Sequence, residues 1–335
     1  MKLPKQATAG ARLKRSLAPL GNLGGQFKDC RSFFPSLSPA VFSSSHAWIC
    51  GRPCGEFFCP CARGASPCDR PSSPRGGTPA PAAGPDAPAV DVLPGGVVRW
   101  PGEAIELCGD EHETWKPRDG ACYYPVDLDR GEALFPVFRD RAGKRETASV
   151  RVLPPPYATE SLRVDPRTVR VSEKVRRRAN RERRQVVPLF SLRTNPSFSL
   201  PLAPPLAEAP PARNFGTRRL FNGEPRSAHG GVDYRAKVGT PVLATEGGLV
   251  VLAANHFFAG KSVFIDHGAG LLSMYMHLSR IDAKAGRRVA RGERLGLSGA
   301  TGRVTGPHLH FGFRWRGARV DPNLLLADPA TLPSP

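Results

Sequence analysis

Apolar residues along this chain fall in short runs punctuated by Gly, Asn and Asp, and the runs gather in two regions. Between 94 and 160, Val97, Val98, Ile105, Leu107, Tyr123, Val126, Leu134, Phe135, Val137, Val150 and Val152 sit in strand-length stretches. The pattern predicts a small antiparallel, sandwich-like β-domain; Cys108 and Cys122 could pair across it, a link that the sequence alone does not decide. Between 213 and 326, the runs Val242–Ala244, Leu249–Ala253, Val263–Asp266, Leu271–His277, Arg294–Ser298 and His308–Arg314 predict an all-β domain with one core. No amphipathic helix of ordinary length is predicted there. The 161–212 segment between the two regions is a linker. Its basic part predicts a helix from Ser172 to about Gln185 with Ser172 as N-cap, and 195–212 reads as a Pro-rich connector.

The leader, 1–93, lacks such patterning. Pro71, Pro74, Pro79, Pro81, Pro85 and Pro88 crowd one stretch with Ala, Gly and Ser, and disorder is expected because little apolar surface is available to offset the ordering entropy. Lys2, Lys5, Arg12, Lys14 and Arg15 precede Leu17–Leu23, a run broken by Pro19, Gly21 and Asn22, so no clear export signal is read. Cys30, Cys50, Cys54, Cys59, Cys61 and Cys68 have no C-x-x-C knuckle and no following His pair, and are read as incidental or disulfide-forming thiols rather than a zinc site. Residues 327–335 are read as a tail.

Composition sharpens this division. The chain has 335 residues with 35 Gly and 36 Pro, an excess that argues against a helical bundle or a coiled coil. Eighteen of the glycines but only four of the prolines lie in 213–326, so the glycine belongs to tight turns of the β-domain and the proline to leader and connectors. No run of 18 apolar residues occurs, and no transmembrane helix is expected. The net charge of +19 points to an anionic partner, of which nucleic acid, a membrane surface and an acidic polymer outside the cell are the candidates. Nucleic acid is not expected, because no reading module is recognisable and aromatics are only 8%. Within 213–326, 17 Lys and Arg stand against 7 Asp and Glu, so about half of the excess belongs to this region.

The candidate chemistry lies in the same region. His229-Gly230-Gly231-Val232-Asp233 reads as a turn entering a strand, since adjacent glycines disfavour a helix. His308-Leu309-His310 puts two imidazoles on one face of a strand and Leu309 on the other. His277 ends another strand. Two imidazoles and a carboxylate hold zinc while leaving a position open for water, whose pKa the metal lowers. Further imidazoles nearby can move protons or stabilise an oxyanion. His256 and His267 sit beside loop signals without partners, and packing or surface roles are expected of them.

Asn214-Phe215-Gly216-Thr217-Arg218-Arg219, His229-Gly230-Gly231-Val232-Asp233 and Gly239-Thr240-Pro241-Val242 resemble the lysostaphin-like, LytM-type zinc metallopeptidase family. So do Ile265-Asp266-His267-Gly268, Tyr275-Met276-His277-Leu278, Gly299-Ala300-Thr301-Gly302 and Gly306-Pro307-His308-Leu309-His310-Phe311. The resemblance implies an antiparallel β-sheet peptidase domain, similar to a duplicated hybrid motif, and a zinc endopeptidase that cuts peptide crosslinks of bacterial peptidoglycan. It implies one Zn2+ held by His229, Asp233 and His310, with His308 as general base on the metal-bound water and His277 at the oxyanion. Arg218 and Arg219 would shape the rim. Some relatives lack ligands and serve as wall-binding activators of other hydrolases; that is the alternative reading, disfavoured because all five positions are intact. A peptidoglycan substrate implies a periplasmic, cell-envelope or extracellular location. The 94–160 region more faintly resembles an accessory domain that precedes such peptidases.

Overall fold

A computed structural model describes residues 87–163, 172–208, 212–225 and 227–335. The leader up to residue 86, with its export-signal candidate and six cysteines, lies outside the described residues, as do Arg167 and Arg170 of the linker.

The first β-domain starts inside the segment read as leader. Strand β1 (Ala89–Val92) pairs in parallel with β7 (Lys144–Val152), at the edge of a five-stranded sheet ordered β1-β7-β6-β3-β4. The other members are β3 (Ile105–Asp110), β4 (Thr114–Trp115) and β6 (Ala133–Arg141). An all-antiparallel sheet was expected, and β1 is the exception. It lies before the hairpins, and its alternation, with Val90 and Val92 buried and Ala89 and Asp91 exposed, is that of a half-covered strand. The β6–β7 hairpin turns on Ala142 and Gly143, both at positive φ, the geometry that two-residue hairpin loops favour.

The second layer is a pair, β2 (Val97–Pro101) and β5 (Ala121–Pro125), buried on both faces. Val98, Trp100, Cys122 and Tyr124 face the first domain's own core, where the Cys108–Cys122 disulfide ties β3 to β5. Val97, Ala121 and Tyr123 point the other way, into the core of the C-terminal domain. The Tyr123 ring lies 5.2 Å from that of Trp315. The period-2 alternation thus serves two cores at once.

The C-terminal domain is built on a seven-stranded antiparallel sheet. Its strands are β11 (Val232–Tyr234), β13 (Gly248–His256), β14 (Gly260–Gly268), β15 (Leu271–Leu278), β17 (Arg288–Val289), β19 (Leu309–Trp315) and β20 (Ala318–Val320). They run in the order β11-β19-β15-β14-β13-β17, with β20 on β19. A small sheet, β12 (Pro241–Leu243), β16 (Arg280–Ile281) and β18 (Arg294–Leu297), flanks it. Strand β8 (Thr159–Leu162) runs parallel to β9 (Arg218–Phe221), which turns back into β10 (Glu224–Pro225). The strands expected from the hydrophobic runs are all present, and three of the six, β13, β14 and β15, are longer than the runs.

The linker contains helix α1 (Glu173–Val186), and the Ser172 hydroxyl accepts from the Val175 amide at 3.4 Å as its cap. The Pro-rich connector is a packed element: Phe198, Leu202 and Leu206 are buried in the C-terminal core. The tail is also fixed, through helix α2 (Pro322–Leu326), the buried Leu332, and a backbone bond from Arg99 N to Pro333 O at 2.9 Å. Ion pairs join the acidic first domain to the basic second one. Arg319 reaches Asp127 at 2.6 Å, and Arg316 reaches Glu113 at 2.7 Å.

Candidate metal centre

Strand register assembles the site. In the β11–β19 ladder, Asp233 stands directly opposite His310. His308 and His310 share a face, and Leu309 between them is fully buried on the other. His229 precedes β11 and is held by its backbone: His229 N donates to Thr217 O at 3.0 Å, and Gly216 N donates to His229 O at 2.9 Å. Gly231 permits the close approach. A Cβ there would lie 2.9 Å from His310 Nε2 and collide with the Phe311 carbonyl.

Three acceptor-bearing atoms converge. His229 Nε2 is 3.1 Å from Asp233 Oδ1, His310 Nδ1 is 2.9 Å from the same oxygen, and the two nitrogens are 3.0 Å apart. His229 Nδ1–H donates to the Asn214 carbonyl at 2.8 Å. A carbonyl only accepts, so Nδ1 carries a proton, and Nε2 is the nitrogen turned toward the other two groups. Zinc bonded at 2.0–2.1 Å to nitrogen has tetrahedral ligand edges of about 3.3 Å. The triangle formed by these three atoms is within a few tenths of an ångström of that, so the donor set fits zinc in both chemistry and size. Among the described residues, His229, Asp233 and His310 form the one cluster of three or more His, Cys, Asp or Glu side chains arranged to hold a metal ion.

Burial alone would raise the Asp233 carboxyl pKa, but hydrogen bonds and charge from His229 and His310 prevail and hold it far below the usual carboxylate range. Burial pushes His310 down, partly opposed by Asp233. Both shifts favour the deprotonated forms that bind metal.

Two more imidazoles flank the cluster. His308 Nδ1–H donates to Gly306 O at 2.9 Å, and its Nε2 lies 3.7 Å from Asp233 Oδ1. His277, the last residue but one of β15, has φ of 64°, and its Nδ1–H donates to Thr301 O at 2.9 Å. The ring centroids of His277 and His308 are 4.9 Å apart, and those of His277 and His310 are 6.0 Å apart. Burial lowers His277 to about 4, so its ring is neutral at neutral pH with Nε2 unprotonated. The structure therefore brings together all five residues singled out in the sequence. Arg218 is exposed on β9, beside the Thr217 carbonyl that holds His229. His267 is a packing histidine, bonded to Gly247 O and Ser273 Oγ at 2.8 Å each. His256 is buried in β13.

Asn214 was not singled out for a role. Its Nδ2 donates to Asp233 Oδ2 and its Oδ1 accepts from Asp233 N, both at 3.1 Å, while its carbonyl fixes His229. One residue thus orients two members of the triangle, as outer partners of metal ligands do. Thr301 plays the same part for His277. Neither bears a periodic relation to the histidines that sequence reasoning would detect.

Residues 227–322 match peptidase family M23. The chain is similar to the peptidoglycan DD-endopeptidases ShyA and ShyC of Vibrio cholerae. It is 49% identical to the first over 109 residues and 43% identical to the second over 111 residues, each match covering 32% of this chain and 25% of the relative. The chain thus spans about a quarter of the length of these curated relatives. The crystal structure of a candidate M23 peptidase from Pseudomonas aeruginosa is similar over 70% of this chain and 94% of its own, with 28% identity and a TM-score of 0.54. That coverage reaches well beyond 227–322.

Proposed function

Residues 227–322 belong to peptidase family M23, and on that premise we propose that the protein is a zinc metalloendopeptidase that hydrolyses peptide crosslinks of bacterial peptidoglycan. The observation that carries the reading is the 2.9–3.1 Å triangle of His229 Nε2, Asp233 Oδ1 and His310 Nδ1 with the imidazoles of His277 and His308 beside it. We assign these three atoms as the ligands of one zinc ion. When bound, zinc supplies a Lewis acid that polarises a carbonyl and brings the pKa of a coordinated water toward neutrality.

The flanking histidines handle protons. Each donates through Nδ1 to a backbone carbonyl, so in each Nε2 is the nitrogen left to exchange a proton in the site. His308, nearer Asp233, takes the proton of the attacking water as general base. His277 in its neutral tautomer has no N–H to offer a developing oxyanion. The proton that His308 takes from the water is the one the leaving amine needs: passed to His277, whose ring centroid lies 4.9 Å away, it makes an imidazolium that stabilises the charge and then delivers the proton to the amine as the C–N bond breaks. Its role is thus coupled to proton transfer rather than that of a fixed donor.

The basic surface of the domain suits a substrate whose stem peptides carry carboxylates. Peptidoglycan lies outside the cytoplasmic membrane, so a cell-envelope location follows from the substrate. Among the described residues no helix is long and apolar enough to cross a membrane. We assign the β-domain from Ala89 to Val152 as an accessory domain joined to the peptidase by the packed linker.

The test is muropeptide analysis of sacculi digested with the full chain. Crosslinked dimers should fall and monomers rise, chelation should stop this, and added zinc should restore it. Asp233→Ala should lower the rate by at least ~1,000-fold, since it removes a ligand and with it the activated water. Full activity in Asp233→Ala would overturn the assignment.

A further inference from the structure

One strongly charged surface takes no part in the site. Helix α1 carries seven cations and two acids. Its half-buried residues are Val175, Ala179, Glu182 and Val186, and the others are exposed. That 4-3-4 spacing is one stripe of a helix, the side by which α1 lies on the protein. Val186, with Leu189 and Phe190 just beyond, packs on Leu252, Phe264, Leu272 and Met274. Polar contacts fix the same side: Arg178 Nη2 donates to Asn255 O at 3.2 Å, and the Phe257 amide donates to Glu182 Oε2 at 2.9 Å.

The opposite stripe, spaced 3-4-3, is Lys174, Arg177, Arg181 and Arg184, all exposed. It runs about 15 Å along the helix. Arg177 pairs with Glu173, but no acid pairs with Lys174, Arg181, Arg183 or Arg184 among the described residues. Like charges at these spacings repel one another, a cost to the isolated helix that a polyanion would relieve. At the C-terminal end the stripe meets a groove of about 420 Å³ lined by Asn180, Arg183, Arg184, Val187 and Pro188. Val187 there is 45% exposed, one of four large apolar residues left to solvent among the described residues.

We propose that this face docks on an anionic phospholipid surface. Headgroup phosphates pair with Lys174, Arg177, Arg181 and Arg184, and the carbon layer beneath them meets Val187 and Pro188. The exposed valine beside guanidinium groups favours lipid over a polysaccharide or a nucleic acid, because charge over hydrocarbon is the profile of a bilayer interface. The helix contains no aromatic residue on which bases would stack. Its apolar stripe is already used against the sheet, so binding is electrostatic and peripheral. The β13–β14 hairpin that α1 grips also supplies Ala259 O, which accepts from His277 N at 2.9 Å. Docking thus holds the catalytic face on the same rigid unit as the membrane contact.

The test is co-sedimentation of the full chain with vesicles of phosphatidylcholine alone or with about one-third phosphatidylglycerol. Binding to the anionic vesicles only, weakening as salt rises, is expected. Each lost cation should weaken partitioning roughly fivefold, so Arg177→Gln/Arg181→Gln/Arg184→Gln should lower it by about 100-fold. Gln keeps helix propensity, so the fold should hold. Cleavage of a soluble crosslinked peptide by this variant should be unchanged, which separates the proposal from the zinc reading. The charge-matched control Lys284→Gln/Arg287→Gln/Arg288→Gln, on an exposed loop and strand edge, should bind vesicles normally. The proposal is overturned if anionic vesicles are not bound, if the control loses as much as the α1 variant, or if duplex DNA competes the protein off the vesicles at equal phosphate.

Discussion

Replacing Asn214 with Ala deletes two hydrogen bonds to Asp233, one to Oδ2 and one from the backbone amide, each 3.1 Å long. The carbonyl that holds His229 Nδ1 belongs to the backbone and survives, so the perturbation is confined to the carboxylate. A hydrogen bond to a charged group contributes about 1.5–3 kcal/mol and one to a neutral group about 0.5–1.5 kcal/mol. The Asp233 side chain is 24% exposed, so water replaces part of this. A net loss of about 1.5–3 kcal/mol corresponds to zinc binding weakened by roughly 10- to 100-fold. Competition with a chromophoric chelator measures it directly. Asn214→Asp keeps the side chain's shape but replaces the Nδ2 donor with a carboxylate oxygen facing Asp233 Oδ2, and should weaken zinc binding at least as much. Zinc affinity within about twofold of the parent in both variants would refute the claim that Asn214 orients the ligand.

Two further predictions follow from burial and covalent structure. Because burial lowers His277 to about 4, below the ordinary value of 6.5, the unfolded chain takes up this proton first as pH falls. The stability tied to neutral His277 is therefore complete above about pH 6.5 and is lost progressively toward pH 4, by up to about 3 kcal/mol. Urea unfolding of the metal-free protein should show this loss and His277→Gln should flatten it; parallel pH profiles for the two would contradict it. Cys108→Ser/Cys122→Ser opens a link with a sequence separation of 14 and should destabilise the first β-domain by about 3 kcal/mol. An unchanged urea midpoint under non-reducing conditions would count against a stabilising disulfide.

Much of the β-architecture was legible because strand signals are local. Runs such as Leu271–His277 and His308–Arg314 carry their own periodicity, and His308 and His310 share a face by the two-residue repeat alone. Ser172 marked its helix for the same reason, since a cap acts within one turn. The five polar residues stood out by type and spacing, and the resemblance to a zinc peptidase family grouped them. Segments without periodicity misled: the Pro-rich connector and the tail look like spacers, yet Phe198, Leu202, Leu206 and Leu332 are core residues. Burial of an isolated apolar side chain depends on what lies across from it.

By itself, the sequence determined which stretches become strands and which side chains are able to bind metal, because backbone preference and donor chemistry are properties of a residue and its near neighbours. The tertiary structure alone decided that His229 and His310, 81 positions apart, bring nitrogens within 3.0 Å. It also decided that Asn214 holds two of the three converging groups and that carbonyls of Thr301 and Gly306 fix the flanking tautomers. Those facts depend on strand register and on close backbone approach across the sheet, both of which are set by packing between segments distant in the chain.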